Sequence, residues 1–105
     1  MSTRFMFVLS ASLLFAGNAI ADEGAALLKK SNCGTCHQAE KKTVGPSLKA
    51  IAEKYKGDAE AVAKLEKKVR KGGSGSFGSM AMPATPAKVS DADISVMVAA
   101  ILAAK

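Results

Sequence analysis

The chain has 105 residues, with 15 Lys plus Arg set against 9 Asp plus Glu, a net charge of +6. A length of this order forms one core and excludes a second domain of comparable size. The positive balance admits an acidic protein, an anionic membrane or nucleic acid as partner. Nucleic acid is disfavoured, because the sequence beyond the N-terminal segment keeps only Tyr55 and Phe77 as aromatics, and neither lies in a basic and aromatic alternation.

In chain order, residues 1–21 come first: Arg4, an apolar run from Phe5 to Ala16, then Ala19-Ile20-Ala21 as an A-x-A cleavage signal. The run meets Gly17 and Asn18 well before the roughly 20 residues that a membrane span needs. The expectation is a secretory signal peptide over 1–21, cleaved after Ala21, and an exported domain over 22–105 with no stable membrane insertion.

Four helices and no strand are predicted in the remainder. Residues 22–32 open with Asp22 and Glu23 and close towards Lys29 and Lys30, which suits the helix dipole, and Leu27 and Leu28 supply an apolar face. Leu48, Ile51, Ala52 and Tyr55 follow i, i+3, i+4, i+7 spacing, which predicts one buried stripe. After Gly57, Asp58 is the expected cap of a third helix with Val62, Leu65 and Val69 inward, stopped by Gly72-Gly73. The last helix is predicted from Ser90 as N-cap with Asp93 three residues on, its inner face being Ile94, Met97, Val98, Ile101 and Leu102.

Residues 72–87, GGSGSFGSMAMPATPA, carry neither period. A structureless connection of this length is either a linker or a functional loop. Phe77, Met80, Met82, Pro83 and Pro86 fit a linker poorly and predict something apolar beneath them. Short alanine-rich helices without tryptophan also bury too little to stand unaided, so a staple beyond the polypeptide is expected.

Both cysteines and the single histidine fall within SNCGTCHQ, residues 31–38. Zinc would need a fourth ligand that no second histidine or Cys-x-x-Cys provides. A thioredoxin-like redox pair would follow a strand, and none is predicted. A Cys33–Cys36 disulfide would close too small a loop to stabilise much. Covalent haem attachment uses Cys-x-x-Cys-His: Cys33 and Cys36 as thioethers and His37 as axial ligand, with its Nε2 on iron and its Nδ1–H donated to a backbone carbonyl. Gly34 and Thr35 are small enough for a backbone lying against a flat ring. The sixth ligand would be a methionine, since no other histidine exists. Met97 belongs to the core face of the last helix. Met82 is favoured because Pro83 stiffens the chain after it, and Met80 is the alternative.

These motifs occur in a recognisable order: CGTCH at 33–37, VGPSL at 44–48, a Gly-rich turn, FGSMAMP at 77–83 and VSDAD at 89–93. Over essentially all of 22–105 the chain resembles small bacterial class I c-type cytochromes of the c-551/c-552 kind. The resemblance implies an all-α class I cytochrome c fold, about four short helices around one covalent haem c. It implies Cys33 and Cys36 as thioethers, with His37 and Met82 as axial ligands and the Pro46 carbonyl as acceptor for the histidine. Phe77 stands where the family often has a tryptophan bonded to a haem propionate, and a phenyl ring has no N–H to give. Lys68 stands where a family arginine approaches a propionate, and Ala100 where a large aromatic is common. The function implied is a periplasmic one-electron shuttle, monomeric and not an enzyme, that meets acidic redox partner proteins transiently. A haem sensor or a peroxidase-type enzyme with a labile methionine is the alternative.

Overall fold

The computed structural model describes residues 16–105. Four α-helices are present, α1 (Ala16–Lys30), α2 (Leu48–Lys54), α3 (Ala61–Lys71) and α4 (Asp91–Leu102), with a 3-10 turn at Cys33–Thr35 after α1. Among the described residues β pairing is limited to two isolated antiparallel bridges, His37 with Lys42 and Gly73 with Met82. Residues 1–15 of the expected signal peptide lie outside the described residues.

The helix α4 is the hub, packed against α1, α2 and α3. Ser90 Oγ accepts the Asp93 N–H at 3.1 Å, and Asp91 and Asp93 occupy the first turn where the helix dipole favours negative charge. Met97 and Val98 are wholly buried, and Ile94 and Ile101 nearly so. A helix contacted by three neighbours has little need of a polar face, which explains the continuous DISVMVAAIL-like apolarity after its cap. Where α1 crosses it, the small Gly24 is buried, and a Cβ there would stand 2.9 Å from the Val96 carbonyl and against the Ala100 methyl. The residue at 100 is therefore small because α1 approaches it closely.

The helix α2 is short and capped by the buried Ser47, whose Oγ accepts the Ala50 N–H at 3.0 Å. Ile51 and Ala52 are buried and Leu48 and Tyr55 pack partly buried beside the core, as the stripe requires.

Three expectations are corrected. The first helix begins at Ala16, so Asp22 and Glu23 lie inside it; they would be N-terminal acids only in a chain cut after Ala21. Asp58 does not cap α3: the cap position is Glu60, and Asp58 Oδ1 instead accepts the Glu60 N–H at 2.8 Å in the preceding turn while pairing with Lys64. Val62 is 51% exposed, and Ala61 takes its place inside with Leu65 and Val69. At 3.6 residues per turn the line through 61, 65 and 69 leaves position 62 about 60° off its centre.

Gly72 ends α3 with φ 68 and donates its N–H to the Lys68 carbonyl at 2.7 Å. That left-handed geometry favours glycine. From the last turn of α3, Arg70 reaches the chain entering α4. Its guanidinium donates to the carbonyls of Pro86 (3.2 Å) and Val89 (2.7 Å) and to Asp91 Oδ1 (2.7 Å). Beside it, Ser95 Oγ–H donates to Glu66 Oε1 at 2.8 Å, a second tie between α3 and α4.

Arg70→Ala in the intact protein is expected to lower the unfolding free energy by about 1.5–3 kcal/mol, the range for hydrogen bonds to charged groups. Arg70→Lys should recover only part, because an ammonium cannot fork across several acceptors. Asp91→Ala should cost less than Arg70→Ala, since the Asp91 side chain is 94% exposed. Denaturant titration of the three variants checks the order.

Candidate haem site

The segment after α1 is turned sharply by local hydrogen bonds. The Ser31 N–H reaches the Leu27 carbonyl at 2.9 Å, and Asn32 takes a left-handed conformation with φ 61. The N–H groups of Cys36 and His37 then both donate to the Cys33 carbonyl, at 3.2 and 2.9 Å. Cys33, Cys36 and His37 are thereby gathered on one tight turn, all half-buried. Burial pushes the Cys33 thiol of the bare chain above its ordinary pKa, with the neighbouring Cys36 adding to the rise.

The imidazole of His37 is oriented by the VGPSL segment. Its Nδ1 lies 2.8 Å from the Pro46 carbonyl oxygen. A carbonyl only accepts, so Nδ1 carries the proton and Nε2 is left with a free lone pair. The segment is tied back to the turn, with the Gly45 N–H and Thr43 Oγ–H both donating to the Cys36 carbonyl at 2.9 Å. Beyond it the Leu48 N–H donates to the Gln38 carbonyl at 2.8 Å. Gly45 is needed there: a Cβ would come within 2.7 Å of His37 Cε1 and 3.0 Å of Nδ1.

Residues 73–82 form a closed loop. The Gly73 and Met82 backbones exchange two hydrogen bonds of 2.9 Å, and inside them the Gly75 N–H donates to the Gly78 carbonyl at 2.8 Å. The loop is a built element, as Phe77 and the methionines predicted against a plain linker. Met82 is half-buried and packs on the core cluster, whereas Met80 is 69% exposed and Phe77 39%.

Turn, segment, loop and helices surround a cavity of about 830 Å³. Cys33, His37, Pro46, Lys68, Phe77, Met80 and Met82 all line it; Cys36, which follows on the same turn as Cys33, does not. The deeper wall is Leu28, Ile51, Leu65, Val69, Met97 and Ile101, all members of the hydrophobic core. Met97 is thus both core and wall. Lys68 Nζ lies beside Gly73, at the foot of the loop.

The donor set and shape fit a covalent haem. Two thiols and an imidazole with a free Nε2 share one turn, a thioether lies in the same lining, and the wall is apolar and of a size suited to a large flat cofactor. Zinc chemistry fits less well, since among the described residues no three of His, Cys, Asp and Glu converge as a metal-binding group.

Sequence reasoning placed Cys33, Cys36, His37, Pro46, Lys68, Phe77 and Met82 in this region. It did not find two features. Gly45 was visible only as part of a motif, and its reason is steric contact with the imidazole. Lys54, at the end of α2, donates from Nζ to the Ser76 carbonyl and stands 4.5 Å from the centre of the Phe77 ring. No local pattern signals a contact across 22 residues.

Comparison with known proteins supplies the family. A family model described as cytochrome c matches residues 21–105. Cytochrome c-552 of Nitrosomonas europaea is 45% identical over 106 aligned residues, covering 100% of both chains. The crystal structure of wild-type Nitrosomonas europaea cytochrome c552 superposes with a TM-score of 0.72 at 46% identity, over 77% of this chain and 99% of that one. The class 1 cytochrome MtoD of Sideroxydans lithotrophicus ES-1 gives 0.68 at 37% identity, over 77% and 91%. With a matching family model, a relative matched from end to end and the same all-α class I fold, the chain belongs to the cytochrome c family, whose cofactor is a covalently attached haem c.

Proposed function

We infer that the protein is a one-electron carrier in which His37 and Met82 fill both axial positions of a haem fixed to Cys33 and Cys36. When bound, the haem supplies an iron that exchanges single electrons between ferrous and ferric states. The observation that carries this reading is that both proposed ligands are held by backbone bonds: His37 by the Pro46 carbonyl and Met82 by its paired bridge to Gly73. Ligands fixed in advance need not move when the charge changes, which suits electron transfer. Met82 is preferred over Met80 because it is half-buried on the core, while Met80 faces solvent.

The remaining residues support the carrier over an enzyme. A peroxidase-type reaction needs an acid or base beside the sixth position, and residues 73–82 offer glycine, serine, phenylalanine, alanine and methionine only. Lys68 at the loop's foot can face a haem carboxylate where the family has an arginine, as a point charge and without a bidentate contact.

Export accounts for the rest of the reading: a signal peptide over 1–21, a mature domain over 22–105 and a periplasmic location, where haem is attached to such thiols. Among the described residues no helix is long and apolar enough to cross a membrane. The mature chain would act as a monomer. Its lysines, Lys42 at the cavity mouth among them, would steer acidic redox partners into brief contacts.

In the oxidised protein, Met82→Ala is expected to abolish the weak red absorption band that marks methionine on ferric haem in this family, while Met80→Ala keeps it. The opposite pattern would move the ligand to Met80, and no band in the unaltered protein would favour the sensor or enzyme reading. Cys33→Ala with Cys36→Ala should leave a largely unfolded chain, because cofactor binding and folding are coupled here; a cooperative thermal transition in that double variant would show that the polypeptide core suffices. Electron exchange with an anionic redox reagent should slow as salt rises, and with a cationic one should not.

A further inference from the structure

The 73–82 loop is closed at its base by the Gly73 and Met82 bonds, yet its tip is nearly independent of the body. Three glycines at positive φ (Gly73, Gly75, Gly78) and exposed side chains at 77–81 give it little stability of its own. Among the described residues the hydrogen bond that joins positions 74–81 to another element comes from one side chain, Lys54. Its ammonium donates to the Ser76 carbonyl and also lies over the Phe77 face, 4.5 Å from the ring centre. One cation thus holds neighbouring backbone and side-chain groups of the loop at once. Lys54 is the last residue of α2, whose Ile51 and Ala52 are buried in the core, so the anchor is rigid.

We propose that Lys54 is a positioning residue that latches the 73–82 loop to the end of α2 and so keeps Met82 in place as a ligand. The claim about Met82 rests on the ligand reading above; the latch itself rests on the Lys54 contacts. Lys54 touches neither thiol nor imidazole, and it acts only through the loop. Opening of the loop lifts Met82 away, and an added ligand can bind only to that open fraction, so its apparent affinity measures how firmly the loop is shut. A charged donor together with a cation–π contact at an exposed site is worth about a tenfold change in that fraction.

The test uses holoprotein of wild type, Lys54→Ala and Lys54→Arg, with imidazole as the probe. In the ferric proteins, loss of the methionine band should occur at about tenfold lower imidazole in Lys54→Ala. Lys54→Arg, which keeps a donor and a cation for the ring, should stay within about twofold of wild type. Amide hydrogen exchange gives a readout independent of iron: the Gly73 and Met82 N–H groups should exchange about tenfold faster in Lys54→Ala while those of Met97 and Val98 are unchanged. Equal imidazole affinity and equal exchange in Lys54→Ala and wild type overturn the latch. So does faster exchange of Met97 and Val98 by the same factor, which would mark a general loss of stability. Absence of the methionine band in wild type overturns the claim for Met82, and the exchange comparison then decides on the latch separately.

Discussion

The protein depends on a core that also lines the cavity proposed for its cofactor. Leu28, Ile51, Leu65, Val69, Met97 and Ile101 pack on one another and at the same time form the inner wall of that cavity. With only short helices, a seven-residue α2 among them, and no tryptophan, the polypeptide has few large apolar faces to set against each other. Burying a large flat apolar group among those six side chains would supply the contact area that a chain of this size otherwise lacks. On that reading the fold and the site are one solution to one problem. A substitution at Met97 or Ile101 acts on both.

Much of this was legible in the sequence because the relevant contacts are local. Ser90, Asp93 and the spacing from Ile94 to Ile101 specify α4 through a cap and a period, and both are formed as written. CGTCH announces its chemistry because attachment needs those residues within one turn. The loop from Gly73 to Met82 was legible by contradiction, as apolar side chains in a stretch without a period. The third helix shows the limit of periodicity: Val62, Leu65 and Val69 satisfy helical spacing as well as Ala61, Leu65 and Val69 do. Only the position of α4 decides which line is buried. Arg70, Lys54 and the Gly24 with Ala100 crossing were illegible for the same reason, since each joins residues far apart in the chain. Ala100 in particular looks like a departure from a family aromatic until α1 is seen to pass directly over it.

The two halves of the proposed ligand set are secured differently. On the histidine side several bonds link residues four to ten positions apart: Cys33 to His37, Cys36 to Gly45, His37 to Pro46, Gln38 to Leu48. Such contacts close small loops and cost little entropy to form. On the methionine side the loop closes on itself through Gly73 and Met82, and its tip is joined to the body by a lone exposed lysine. That arrangement is easier to open.

This asymmetry bears on the choice between carrier and sensor. A sensor needs its methionine to leave on a modest stimulus, and a carrier needs it to stay through repeated changes of iron charge. Met82 has three holds of different kinds: the paired backbone bonds to Gly73, packing on the core, and Pro83 immediately after it, which removes backbone freedom from the open state. Independent holds multiply, because opening must break them together, and each factor of ten adds about 1.4 kcal/mol to the cost of the open form. The left-handed Gly72 allows this close seating: its Cα approaches the 82–84 backbone so nearly that a Cβ would lie 2.8 Å from the Ala84 nitrogen, and any larger residue would push the base of the loop outward. With the base seated this tightly, the proposed Lys54 latch at the tip adds a further hold, so that Met82 is released only when base and tip give way together. Such a set of holds suits a carrier, which must keep its ligand, better than a sensor, which must let it go.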